Sequence, residues 1–168
     1  GGTNVGVGAQ SLYDLTSGAN NIAMGYRAGY NLTTAAGNTI LGTQAVGTGI
    51  LTGANNVVIG KLAGDNMTSA DANVIIGEDA GAAQTTADNN VLIGQGAGEG
   101  LTTGGDNIFV GTSAGDGHDA ETNNLGIGKA ALGGGIAGGE YNVAIGNQAL
   151  DALTSGDQNV AVGFASGT

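Results

Sequence analysis

The chain predicts an all-β fold, a β-solenoid built as a parallel β-roll with one coil per 17–18 residues, and three observations predict it. The first is a pentapeptide, Asn142-Val143-Ala144-Ile145-Gly146, that recurs with small changes from end to end. Its leading asparagines are Asn4, Asn21, Asn38, Asn56, Asn73, Asn90, Asn107, Asn124, Asn142 and Asn159, at intervals of 17, 17, 18, 17, 17, 17, 17, 18 and 17 residues. The second is a glycine four residues after every one of these anchors, from Gly8 to Gly163. The third is the apolar, β-branched character of the residues between them, which suits a short strand. A fixed short period means stacked units that touch mainly their neighbours. Ten copies in 168 residues make residues 1–168 a single repeat domain of about ten coils.

Each element of the unit has its own reason. Asparagine and glycine are turn residues, the one because its side chain bonds to backbone, the other because it accepts positive φ. Between them the two flanking columns, Val5 to Val160 and Val7 to Val162, are nearly all large and apolar, and their spacing of two puts them on one strand face, expected to line the coil interior. The centre column then points outward. It carries Ile40, Val58, Ile75, Leu92, Phe109, Ala144 and Ala161, with no polar side chain anywhere. A strand apolar on both faces is buried on both, so these seven residues are the expected oligomer interface, covered by sister chains in a closed homo-oligomer, most simply a parallel trimer.

The second half of the unit holds a small-residue column (Ser11, Ala28, Ala45, Ala63, Ala80, Ala97, Ala114, Ala131, Ala149, Ser166), fit for a narrow interior. A leucine-like slot follows at Leu15, Leu32, Met67, Leu101 and Leu153, with Ile50 and Ile136 expected there in the two longer units and Gln84 and His118 breaking it. Glycine beside the alanine makes a poor helix, so a second short strand or extended segment is expected. Each coil buries about four apolar side chains, too few for one coil to stand alone.

Composition narrows the function. Glycine is abundant, 36 residues, but without proline or a three-residue period, which excludes collagen. Charged residues are 10% and apolar residues 40%, so the chain folds. It has no cysteine. Net charge is −11, with Arg27, Lys61 and Lys129 the only basic side chains, which disfavours nucleic acid and anionic membrane surfaces. No apolar run reaches the roughly 18 residues of a membrane helix, so no membrane insertion is expected. The chain begins just before one anchor and stops part-way through a unit, which reads as a fragment of a longer fibre protein.

Asn142-Val-Ala-Ile-Gly146, with its alanine three residues on, resembles the repeats of YadA-like trimeric autotransporter adhesin heads. The longer unit, with Ala149-Leu150, Leu153-Thr154-Ser155-Gly156 and Asn159-Val-Ala-Val-Gly163, looks like repeats in bacteriophage tail-fibre shafts. Both likenesses span nearly the whole chain. They imply a left-handed β-roll assembled as a parallel homotrimer that holds a binding tip away from the particle or cell. The adhesin unit is shorter, near 14 residues, and its serine after the asparagine is missing here; Asn20-Asn21, Asn55-Asn56, Asn89-Asn90 and Asn123-Asn124 come nearest.

Chemistry-bearing strings are few. Gly126-Ile-Gly128-Lys-Ala-Ala131 matches a dinucleotide fingerprint but falls in register with the repeat. His118, between Asp116 and Asp119, reads as surface or half-buried filler. Asp71, Asp88 and Asp106, before three successive anchors, are weak candidate metal ligands that a calcium ion would relieve of mutual repulsion, with exposed acidic turns that keep a fibre soluble as the favoured account. No other cofactor is expected. Hydroxyl pairs such as Thr16-Ser17, Thr68-Ser69 and Thr102-Thr103 form a ladder reminiscent of ice-binding solenoids, with turn chemistry as the plainer account. The expected function is a non-enzymatic shaft or head of a trimeric fibre, on a virion tail or at the cell surface, serving attachment to a host or surface receptor, with a glycan as the candidate receptor. The alternatives are a glycan-binding or depolymerase segment and, third, an ice-binding solenoid.

Overall fold

A computed structural model describes residues 2–135 and 139–167. Its regular elements are ten three-residue strands: β1 (Val5–Val7), β2 (Ile22–Met24), β3 (Thr39–Leu41), β4 (Val57–Ile59), β5 (Val74–Ile76), β6 (Val91–Ile93), β7 (Ile108–Val110), β8 (Leu125–Ile127), β9 (Val143–Ile145) and β10 (Val160–Val162). They form one parallel sheet in chain order, β1 to β10. Register is set by the anchors: Val74 pairs with Val91, Ile75 with Leu92 and Ile76 with Ile93, and every neighbouring pair repeats this. Nine steps of about 4.8 Å give a stack about 43 Å long.

The strand faces are the reverse of the sequence expectation. Ile40, Val58, Ile75, Leu92, Phe109 and Ala144 are wholly buried within the single chain and Ala161 nearly so; they fill the coil interior and are not an oligomer interface. The flanking columns point outward, and no residue in either is buried. Room decides this. A three-residue strand gives one side chain to one face and two to the other, and the coil is too narrow for two. Its interior is completed by the alanine column, buried from Ala28 to Ala149, and by the leucine slot.

The second half of each coil is neither strand nor helix but tandem turns. Residues six and eight after the anchor adopt positive φ, as in Arg27 (54°) and Gly29 (59°), or Gln44 (55°) and Val46 (49°), which no extended segment accommodates. Turn bonds such as Leu32 N–H to Gly29 O (3.1 Å) close the segment, and bonds to the next coil, such as Gly29 N–H to Ala45 O (2.9 Å), stack it. The doubled asparagines are explained here too. The first of each pair, Asn20, Asn55, Asn89 and Asn123, sits at φ of 59–61°, a left-handed conformation that asparagine tolerates better than most residues.

Leu32, Met67 and Leu101 fill the slot, and so do Gln84 and His118, fully buried rather than breaking it. In the third coil Leu51, thirteen residues after its anchor where Leu32 and Met67 are eleven after theirs, takes the slot, and Ile50 is 59% exposed: two residues are added before the slot and one is lost after it. Ile136 lies outside the described residues. A typical coil therefore buries Ala23, Ala28, Leu32 and Ala35, the small set that the repeat implies.

Candidate functional site

Two features run the length of the stack, one inside and one outside. Inside is an asparagine ladder. Each anchor's Oδ1 accepts the backbone N–H of the next anchor: Asn38 from Asn56 (2.9 Å), Asn73 from Asn90 (2.9 Å), Asn90 from Asn107 (2.9 Å), and so on through Asn142 to Asn159. From Asn4 to Asn142 each Nδ2 donates across its own coil to a carbonyl 14 or 15 residues on, as from Asn21 to Ala35 (2.8 Å) and from Asn107 to Glu121 (2.8 Å). The anchors Asn21, Asn38, Asn56, Asn73, Asn90, Asn107 and Asn142 are wholly buried and Asn124 nearly so. A buried amide must have its partners, and asparagine alone has the length and the donor–acceptor pair to tie two coils at once. Beside it, the glycines four residues after the anchors approach one another so closely that a Cβ on Gly77 would stand 2.4 Å from the Gly94 oxygen.

The outer feature is the broad sheet face. Val74, Val91, Ile108, Leu125 and Val143 form one column of it and Ile76, Ile93, Val110, Ile127 and Ile145 the other, continued at both ends; Thr39 is the one polar residue among the twenty positions. Exposure reaches 51% at Val5, 41% at Ile108 and 73% at Val160. No charged residue interrupts the strip.

Compared with protein-family models, curated proteins and solved structures, the chain has no match. What it does is therefore argued from these two features.

The remaining candidates take structural places. Asp71 and Asp88 share one column, two residues before their anchors, and Asp106 stands in the adjoining one. The Asp71 carboxylate accepts the N–H of Ala54 and that of Asp88 the N–H of Asp71 (2.7 Å), so both cap turns of the preceding coil. Among the described residues no three His, Cys, Asp or Glu side chains lie together as a metal-binding group. Gly126-Ile-Gly128 forms strand β8 and the turn after it, with no helix N-terminus to receive a phosphate among the described residues. The first hydroxyl of several Thr/Ser pairs donates along the axis to the next coil: Thr16 to Thr33 O (2.9 Å), Thr68 to Thr85 O (3.0 Å), Thr85 to Thr102 O (3.1 Å). Thr52 continues this column where Leu51 has turned inward, donating to Thr68 O (3.1 Å).

His118 is the odd member of the interior. It is fully buried, its ring 4.7 Å from that of Phe109, and neither ring nitrogen has a hydrogen-bond partner. Burial holds its pKa down at about 4, the nearby Glu121 charge offsetting part of the effect. Gln84 is half satisfied: its amide donates to Asn73 Oδ1 (2.9 Å) and Ala87 O (2.7 Å), while its Oε1 has no partner.

Sequence reasoning missed a size exchange within the interior. In three of the five coils with a small centre residue, the residue six positions on is leucine: Gly6 with Leu12, Gly126 with Leu132, Ala144 with Leu150; Ala23 and Ala161 have glycine there. Where the centre is large, that residue is glycine in four coils of five: Val58 with Gly64, Ile75 with Gly81, Leu92 with Gly98, Phe109 with Gly115, the exception being Ile40 with Val46. A Cβ on Gly98 would lie 2.8 Å from Leu92, so both positions draw on one interior volume. The exchange is legible in the sequence and identifies the centre column, not the flanks, as the inner one.

Proposed function

We propose that this chain is a structural segment of a homo-oligomeric fibre, the repetitive shaft or head by which a phage particle or a bacterial cell presents an attachment tip to a host or surface. The observation that carries the reading is the outward apolar strip. At a spacing of about 7 Å between columns and about 43 Å of length it spans about 300 Å², a size at which a contiguous apolar patch on a protein surface is often functional. Sister chains are its natural cover, because copies of one straight, uncharged face are self-complementary about a symmetry axis. Association places the flanking columns at the axis and leaves the chain's charge of −11 on the periphery. The resemblance to trimeric adhesin heads and tail-fibre shafts adds threefold number and left-handed winding, and with them a virion tail-fibre or cell-surface location. The reading is non-enzymatic, since the conspicuous features serve stacking and association.

Sedimentation equilibrium tests it. The expected mass is three times the 16.0 kDa of the chain, independent of concentration through the micromolar range. A folded monomer that persists at high concentration overturns the reading.

A further inference from the structure

We propose that Tyr13, Tyr26, Arg27 and Tyr30 form a docking platform for a carboxylate-bearing saccharide. The proposal rests on the attachment reading and gives it a contact point.

Tyr13 and Tyr30 hold the same position in successive coils, nine residues after Asn4 and Asn21, and their rings stack at 5.1 Å with 1° between planes. The Arg27 guanidinium lies 5.0 Å from the Tyr30 ring centre and 5.4 Å from that of Tyr26. Its Nε donates to Gln10 Oε1 (2.8 Å). Three contacts thus hold a half-buried cation in one orientation. The chain has 14 acidic residues, yet among the described residues the one ion pair is Lys61 with Glu78, and the Arg27 terminal nitrogens meet no acceptor there.

A fixed guanidinium fork with free outer donors matches a carboxylate in shape and charge. The rings around it, Tyr13 at 63% exposure and Tyr26 at 47%, offer apolar surface with a hydroxyl at the tip, which suits the C–H faces and hydroxyls of a sugar. A long polyanion is disfavoured, since the surrounding charge of −11 repels it along its length. A short acidic saccharide sets one carboxylate against Arg27 and its sugar faces against the rings.

Intrinsic fluorescence reads the site, because three of the four tyrosines stand in it and the chain has no tryptophan. The assembled protein is titrated with trigalacturonic acid, with galactotriose, and with sodium acetate. Expected is a saturable change with trigalacturonic acid, at least about tenfold weaker with either comparison ligand, lost in Arg27→Gln and weakened in Tyr13→Ala, with circular dichroism unchanged. Arg27→Lys, which keeps the charge and removes the fork, serves if Arg27→Gln does not fold, and is expected to bind more weakly than the parent. No response, equal response to galactotriose or acetate alone, or undiminished binding in the arginine variant overturns the proposal. Mass measured on the same samples keeps the two readings apart. A trimer that binds nothing removes the platform and leaves the fibre, and a monomer that binds does the reverse.

Discussion

A Cβ on Gly115 would stand 2.4 Å from the Phe109 ring, six residues earlier in the same coil. The largest side chain of the interior thus occupies the space that leucine fills in the coils centred on Gly6, Gly126 and Ala144. Gly115 also sits at φ 63°, where any other residue is strained. Gly115→Ala combines both penalties and is expected to destabilise by about 2–4 kcal/mol. The double variant Phe109→Ala/Gly115→Leu reproduces the Ala144–Leu150 arrangement and is expected to recover much of the loss beyond its single parents. Denaturant unfolding of the three variants checks this, and additive losses would refute a shared volume.

The asparagine ladder makes a second prediction. Removing the Asn90 side chain leaves the Asn107 N–H and the Gly104 carbonyl without their partners inside the stack. Each buried orphan costs about 1–3 kcal/mol, so Asn90→Ala is expected to destabilise by about 2–5 kcal/mol, far more than Asn123→Ala on the surface. Amide exchange measured at Asn107 is expected to accelerate in the first variant only.

His118 makes the chain acid-sensitive in a calculable direction. Its pKa is about 4 in the fold against 6.5 for the free side chain, so the unfolded chain takes up the proton first. Stability from this group is whole above pH 6.5 and is lost as pH falls towards 4, by about 3 kcal/mol in all. The charged groups around it are Glu121, which favours the protonated ring, and the neighbours Asp116 and Asp119. Asp116, its own pKa raised by burial, contributes the opposite slope. The difference between parent and His118→Leu isolates the histidine, the only one in the chain. His118→Leu is expected to be more stable at pH 7, because it matches Leu32 and Leu101 in the same slot, and its advantage is expected to grow on acidification. Thermal melts at pH 7, 5.5 and 4.5 measure it, and an advantage that shrinks with acid would refute the assignment.

The two strand faces separate folding from association. Ile75→Asp puts a charge in the sealed interior and is expected to abolish folding. Ile76→Asp, one residue on, places it on the outer strip and is expected to leave the coil's circular dichroism intact while lowering the sedimenting mass towards that of one chain. Equal unfolding by both would place Ile76 inside, and an unchanged mass in Ile76→Asp would mean that the strip is not the association surface.

Spacing, strand position and register were legible from the anchors alone, because a solenoid repeats its geometry wherever it repeats its asparagine and glycine. The alanine column and the leucine slot were equally plain, since small and branched side chains recur there at constant offsets. Which strand face turns inward was not, because Ile75 and its neighbours Val74 and Ile76 are all apolar and alternation carries no sign when both faces are greasy. Tertiary structure decided that by volume. The tandem turns that carry Arg27, Ala28 and Gly29 close a coil too thin for two side chains from one strand, so the single centre residue goes in and the flanking pair is left outside. The same closure brought Arg27 beside Tyr30 and gave every buried asparagine its two partners, relations between neighbouring coils that exist only once the stack has formed.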